Sequence, residues 1–251
     1  MQVYWSTIKG TDKAESEDRV LVGQKVFSEE TSQAELDHGF VAVADGVGGN
    51  YGGAEAASFV CQVLATSGAP SKEMFQHINH LLVEKSSVNP KHSNMATTFS
   101  GLYVSSEKID TVIFHVGNTR VYAIQAGKYL RQLTEDDTVV QHLLKTGKLT
   151  EEEAEHYSAR NEITACFGGG KESLLQLDEI HMREESPVQF LLTSDGIHEH
   201  LSTDEMEDIL DDVRGDWPKA VKMMTEQAIV NGSRDDATAV LVDFRAKKEG
   251  E

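Results

Sequence analysis

The stretch FVAVADGVGGNYGGAEAASFV, residues 40 to 60, constrains this chain more than any other part of it. An apolar, β-branched run stops at Asp45, five glycines follow before residue 54, and an alanine-rich helical pattern begins. A strand feeding a helix through glycines is the outline of a nucleotide-binding corner, but the details disagree. From Gly46 the order is G-V-G-G-N-Y, so Tyr51 stands where a third Gly or Ala is required, and no G-K-[ST] is present for a P-loop. Glycine after a carboxylate suits a different purpose, the close approach of backbone or phosphate to a metal corner.

The remaining pattern gives the frame. Strands are expected at 18–23, 39–44, 98–104, 111–116, 120–125, 188–193 and 238–244, each an apolar, β-branched run. Helices are expected at 54–66 and at 71–86, where Met74, Phe75, Ile78, Leu81 and Leu82 form a stripe at 3–4 spacing. Thr150 with Glu153, and Ser202 with Glu205, have capping-box spacing for helices through about 157 and over 203–213. A further helix over 217–230 has Pro218 near its start and Gly232 past its end. Strands in runs and helices in pairs predict an α+β fold with antiparallel sheets, not a strictly alternating parallel one. Four prolines and no low-complexity tract, repeat or linker predict a single domain.

Three aspartates then fall in related places. Asp45 and Asp195 follow strands, and Asp235 precedes one. If the last strand runs antiparallel to the other two, all three reach one sheet edge, where the Glu17-Asp18 pair also arrives. Any one of them alone reads as turn punctuation. Together they cannot share a small site without a counter-charge, and oxygen ligands without His or Cys favour Mg²⁺ or Mn²⁺ over zinc or copper.

Charge narrows the partners. With 42 acidic against 23 basic residues the net charge is −19, which argues against nucleic acid or anionic lipid. No run approaches the ~18 apolar residues of a membrane span, and the N-terminus lacks a signal-peptide pattern. Cys61 and Cys166 are too few for a disulfide framework, so the cytoplasm is expected. Neither begins a C-x5-R loop, which excludes a thiolate phosphatase of that type.

The motifs ESEDRV, VADGVGGNYGG, MATTFSGLYV, HVGNTRVYAI, LRQLTEDDTVVQHLLKTGKLTEEEAEH, RNEITACFGGG, FLLTSDGIHEHLS and GSRDDATAVLV occur in that order. This resembles the metal-dependent protein phosphatases of the PPM (type 2C) class in their compact bacterial form. The resemblance implies an α-β-β-α sandwich of two antiparallel sheets flanked by helix pairs. The catalytic domain would be residues 1–245, with a flap at about 139–167 and a short tail at 246–251. It implies that Asp45 bridges two Mn²⁺ or Mg²⁺ ions, with Gly46 lending its carbonyl and Asp195 and Asp235 completing one site. Glu17 and Asp18 would hold the ions' waters, and Asp236 takes a place usually held by a non-ligand Asn. The implied reaction is hydrolysis of phosphoserine or phosphothreonine by a water that the two ions activate. Phosphorylated proteins and a Ser/Thr kinase are the expected partners, and a monomer is expected.

Three further positions depart from the family pattern. Lys13 stands where an arginine usually clamps the phosphate; it keeps the charge and loses the planar fork. Lys13 as a surface residue, with Arg19 or Lys9 assisting, remains an open alternative. Asn118 replaces an aspartate that resembles a ligand for a third, loosely held ion, so that ion should bind poorly. Val47 stands where animal members carry a His. His198-Glu199-His200 has i, i+2 spacing but lacks the further groups a zinc site needs. Phe167-Gly-Gly-Gly reads as a flap hinge. The departures also permit a rival function, a catalytically impaired domain serving as a phosphoprotein-binding or scaffold module. Retention of Asp45, Asp195 and Asp235 favours the enzyme.

Overall fold

The computed structural model describes residues 1–47, 52–88, 94–104, 111–182 and 189–245. Gly48 to Tyr51 of the glycine corner, Val188 and the 246–251 tail lie outside the described residues.

Two antiparallel sheets stack face to face. The first has strands β1 (Gln2–Ile8), β4 (Thr31–Glu35), β9 (Arg120–Gln125), β10 (Tyr129–Gln132), β13 (Gln189–Thr193) and β14 (Ala237–Asp243), in the order β10-β9-β13-β14-β1-β4. The second runs β11 (Phe167–Gly168), β6 (Ala96–Thr97), β5 (Gly39–Val47), β7 (Phe99–Val104), β8 (Thr111–Val116), β12 (Asp178–His181). The hairpin of β2 (Asp18–Val22) and β3 (Lys25–Phe27) joins it through β5.

Alternation of side chains across each strand divides the apolar residues into three layers. On β5, Val41 and Val43 face the other sheet while Phe40, Ala42 and Ala44 face outward. On β14, Val240 and Val242 face inward, and Ala239 and Leu241 outward. The outward side of the second sheet is covered by α1 (Gly53–Thr66) and α2 (Lys72–Val88). That of the first is covered by α6 (Thr203–Val213) and α7 (Trp217–Val230). The result is the α-β-β-α sandwich expected from the sequence.

Both predicted capping boxes are present, at Thr150–Glu153 before α4 (Glu151–Glu155) and at Ser202–Glu205 before α6. Asp216 caps α7, accepting from the Lys219 amide at 3.3 Å, with Pro218 in the first turn. Two expectations change. The strand through Asp45 does not end there, because Gly46 and Val47 continue it by pairing with Thr97 and Ala96 of β6. Phe167-Gly-Gly-Gly is no free hinge: Phe167 and Gly168 pair with β6, and the Asn79 side chain of α2 accepts from the Gly168 amide at 2.7 Å.

No helix among the described residues is long and apolar enough to cross a membrane. The outer layer of the second sheet is aromatic: Phe75 of α2, 0% exposed, packs against Phe40, Phe99, Phe114 and Phe167. Phe75→Ala should cost about 3–5 kcal/mol in denaturant-induced unfolding, the range for truncating a buried aromatic ring.

Candidate active site

The carboxylates gather at one end of the sandwich, where the two sheets meet. In the β2–β5 ladder Asp18 stands directly opposite Asp45. Thr238 of β14, in the other sheet, donates its hydroxyl to Asp18 Oδ2 at 2.6 Å, so Asp18 ties the sheets together. Thr238 also lies 2.8 Å from the Thr7 hydroxyl of β1. Asp195 begins the short helix α5 (Asp195–His198) after β13, and Asp235 lies two residues before β14. Because β13 and β14 are antiparallel, the end of one and the start of the other share this edge.

Glycine permits the close fit. A Cβ on Gly46 would strike the Gly53 backbone at the start of α1, and one on Gly196 would strike the Asp236 carbonyl. Asp236 holds the loop before β2: its Oδ1 accepts from the Gly10 amide at 2.8 Å and its Oδ2 from the Glu17 amide at 2.6 Å. Both of its carboxylate oxygens are thus engaged by backbone amides. The Asp45 amide donates to the Thr98 hydroxyl at 3.1 Å, and its carbonyl accepts from the Thr98 amide at 2.9 Å.

Electrostatics record the crowding. Burial, then the charges of Asp195, Asp18 and Asp235, push the Asp45 carboxyl well above its ordinary range, with Lys13 opposing them. Burial and then Asp235 raise Asp195, while bonds with the Asn118 side chain, Asp45 and the Gly196 amide pull it back. Asp18, 1% exposed, is pushed up to about 8 by burial and then by Asp236. Thr238 and Ser194 oppose that shift, and Asp195 adds to it.

Lys13 is the cation at this rim. Its Nζ lies 2.5 Å from Glu17 Oε2 and 3.0 Å from Asp235 Oδ1. Burial pulls its pKa down, but the bonds to Glu17 and Asp235 outweigh that and raise it. The alternatives are placed elsewhere. Arg19 donates to the Ser58 hydroxyl at 2.7 Å and to the Ser16 and Asp18 carbonyls, a structural role. Among the described residues, Lys9 donates to the Ala14 carbonyl at 3.3 Å.

The donor set suits a hard cation. Asp18 Oδ1 is a buried carboxylate oxygen with no hydrogen-bond partner among the described residues, beside three further carboxylates that repel one another. Among the described residues, no group of three or more His, Cys, Asp or Glu side chains is arranged so that it could hold a metal ion as it stands. What the rim offers is converging oxygens from four separate segments, the chemistry Mg²⁺ and Mn²⁺ prefer.

This chain matches the family model described as Protein phosphatase 2C over residues 25–228. The chain belongs to the protein phosphatase 2C family. It is 31% identical to the protein phosphatase PhpP of Streptococcus pneumoniae over 217 residues, which is 81% of this chain and 85% of that one. To the serine/threonine phosphatase stp of Listeria welshimeri it is 28% identical over 223 residues, 84% and 86% of the two chains. In fold it is similar to serine/threonine phosphatase Stp1 of Staphylococcus aureus, with a TM-score of 0.79, 24% identity, and 96% and 94% of the chains covered. Family membership makes it a phosphoprotein phosphatase of bacterial type.

The flap expected at 139–167 carries α3 (Val139–Lys145) and α4. Its two ends are closed by a Thr138–Ile163 bridge and by the Thr164 amide donating to the Asp137 carbonyl at 2.7 Å. Beneath it is a cavity of about 290 Å³ lined by Asn118, Arg120, Asp136, Arg160, His198 and Glu199, among others. Sequence reasoning did not find the Arg120–Asp136 pair, which is bidentate with closest approaches of 2.9 and 2.7 Å. Nor did it find the role of Glu199, which accepts from the Asn161 side chain of the flap at 2.8 Å.

Burial and then Asp195 push the Glu199 carboxyl up to about 7, with Arg160 opposing. In an unfolded chain Glu titrates at about 4.3. The folded state thus holds this proton longer, and its stability falls as pH rises between those two values. In thermal melts with EDTA, Glu199→Gln should exceed wild type in melting temperature at about pH 8, and the gain should vanish near pH 4. A gain of constant size at every pH would contradict the assignment.

Proposed function

We propose that this phosphatase hydrolyses phosphoserine and phosphothreonine in proteins, using two divalent ions, Mn²⁺ or Mg²⁺, held at the carboxylate rim. The observation that carries the reading is the pairing of Asp18 with Asp45 across the β2–β5 ladder, with Asp195 and Asp235 brought beside them from the other sheet.

Asp45, Asp195 and Asp235, with the Gly46 carbonyl, are the groups that would hold the ions directly. Glu17 and Asp18 would hold their waters, and the unpartnered Asp18 Oδ1 supports that role. Bound there, the ions would lower the pKa of water towards ~7 and offset charge on the transferring phosphoryl oxygens.

The chain's own residues then define the substrate side. Lys13 already sits between Glu17 and Asp235, so its ammonium is positioned to meet a phosphate entering the rim. A point charge orients the ester less strictly than a guanidinium fork. Asn118 presents a neutral amide where a third ion would need a carboxylate, so two ions suffice in this reading. Residues 1–245 form the catalytic unit, working as a soluble monomer in the cytoplasm on proteins phosphorylated by a Ser/Thr kinase.

Hydrolysis of a phosphothreonine peptide should require Mn²⁺ or Mg²⁺, stop with EDTA, and fall at least ~100-fold in Asp195→Asn, beyond the usual cost of an outer-shell contact. Turnover that persists in EDTA would contradict the metal reading. A folded wild type that binds Mn²⁺ and leaves phosphoserine and phosphothreonine peptides intact would favour the binding-module alternative.

A further inference from the structure

The turn from Gly117 to Thr119, between β8 and β9, is gripped from three sides. At the root of the flap, Asp137 Oδ2 accepts from the Gly117 amide at 2.8 Å, and the Asp137 amide donates to the Gly117 carbonyl at 2.7 Å. The Ser100 hydroxyl donates to the Thr119 carbonyl at 2.8 Å. On the third side stands His198, which lines the same cavity as Asn118 and whose ring lies within reach of the Asn118 main chain. Its Nδ1 lies 2.9 Å from the Thr193 hydroxyl.

Burial and then the Arg120 charge hold this imidazole well below its ordinary pKa, so it is neutral and carries one N–H. With Nδ1 turned to the Thr193 hydroxyl, that proton belongs on Nε2, where the Asn118 carbonyl can accept it. Asn118 is thereby fixed and 5% exposed, and its Nδ2 donates to Asp195 Oδ2 at 2.9 Å.

An isolated carboxylate has two equivalent oxygens and rotates freely enough to present either one. A fixed donor on Oδ2 selects one orientation and leaves the remaining lone pairs for a cation. The donor is also uncharged. A lysine at position 118 would satisfy the carboxylate and compete with the ion, whereas an amide orients it without neutralising it.

We propose that Asn118 and His198 are positioning residues for Asp195: His198 fixes the Asn118 main chain, and the Asn118 amide fixes the carboxylate for the metal. This rests on the reading of Asp195 as a metal ligand. It gives the His198 of the H-E-H cluster a function that needs no zinc, and it turns Asn118 from a missing ligand into a supporting one.

The test is calorimetric titration of Mn²⁺ into the metal-free full chain, comparing wild type with Asn118→Ala, His198→Ala and His198→Gln, each checked for folding by its melting curve. Asn118→Ala should weaken Mn²⁺ binding about 10- to 100-fold. Activity towards a phosphothreonine peptide should fall at limiting Mn²⁺ and recover as Mn²⁺ is raised. His198→Ala should lose affinity in the same direction, and His198→Gln, which keeps an N–H donor, should regain most of it. If Asn118→Ala does not fold, the comparison of His198→Ala with His198→Gln decides. Folded variants that bind Mn²⁺ as tightly as wild type would overturn the positioning role alone. A wild type that takes up no Mn²⁺ would overturn the metal reading and this proposal with it.

Discussion

Like charges crowd at one end of this molecule, and much of the local structure there is a response to that crowding. Asp18, Asp45, Asp195 and Asp235 come from four segments, and each raises or is raised by another. Carboxylates so placed destabilise the fold unless something answers them. The answers are specific. Thr238 donates to Asp18, Asn118 and the Gly196 amide donate to Asp195, and Lys13 bridges Glu17 and Asp235. Asp236 is spent on backbone amides and joins the loop before β2 to the start of β14. Such partial compensation leaves the rim acidic enough to want a cation and ordered enough to receive one.

The sandwich makes that arrangement rigid. Val41 and Val43 on β5, Leu192 on β13 and Val240 on β14 pack between the sheets and lock their stacking. The Thr7–Thr238–Asp18 chain closes the same gap with hydroxyls at the active end. The 139–167 segment reaches the body through Asn161 and Glu199, next to the Arg120–Asp136 pair, so the cavity beside it has charged walls adjoining the Asp195 side of the rim.

How much of this the sequence reveals depends on how strongly each element is marked. Strands with β-branched apolar runs were legible, as were helices announced by Thr150–Glu153 and Ser202–Glu205. β4 (TSQAE), β10 (YLRQ) and β12 (DEIH) were not, because they are edge or near-edge strands with mostly exposed side chains and no apolar alternation. β1 was missed although Val3 and Trp5 are buried, since its alternation is interrupted by Ser6 and Thr7. The helix α3 buries no side chain, and so carries no stripe to read. At the site, strand order could place Asp195 and Asp235 on one sheet edge, but not Asp45, which sits within β5 of the other sheet and reaches them only because the two sheets stack. What escaped were the neutral donors. Nothing in G-N-T-R or in H-E-H says that one residue bonds Asp195 and the other supports it, because that contact joins segments 77 positions apart.

The central claim is that the rim binds two ions through Asp45. Diffraction from crystals grown with Mn²⁺, collected at the manganese absorption edge, tests it most directly. The account predicts two anomalous peaks sharing an Asp45 carboxylate, one also touching the Gly46 carbonyl and one flanked by Asp195 and Asp235. No peak at the rim, or peaks seated away from Asp45, would contradict it.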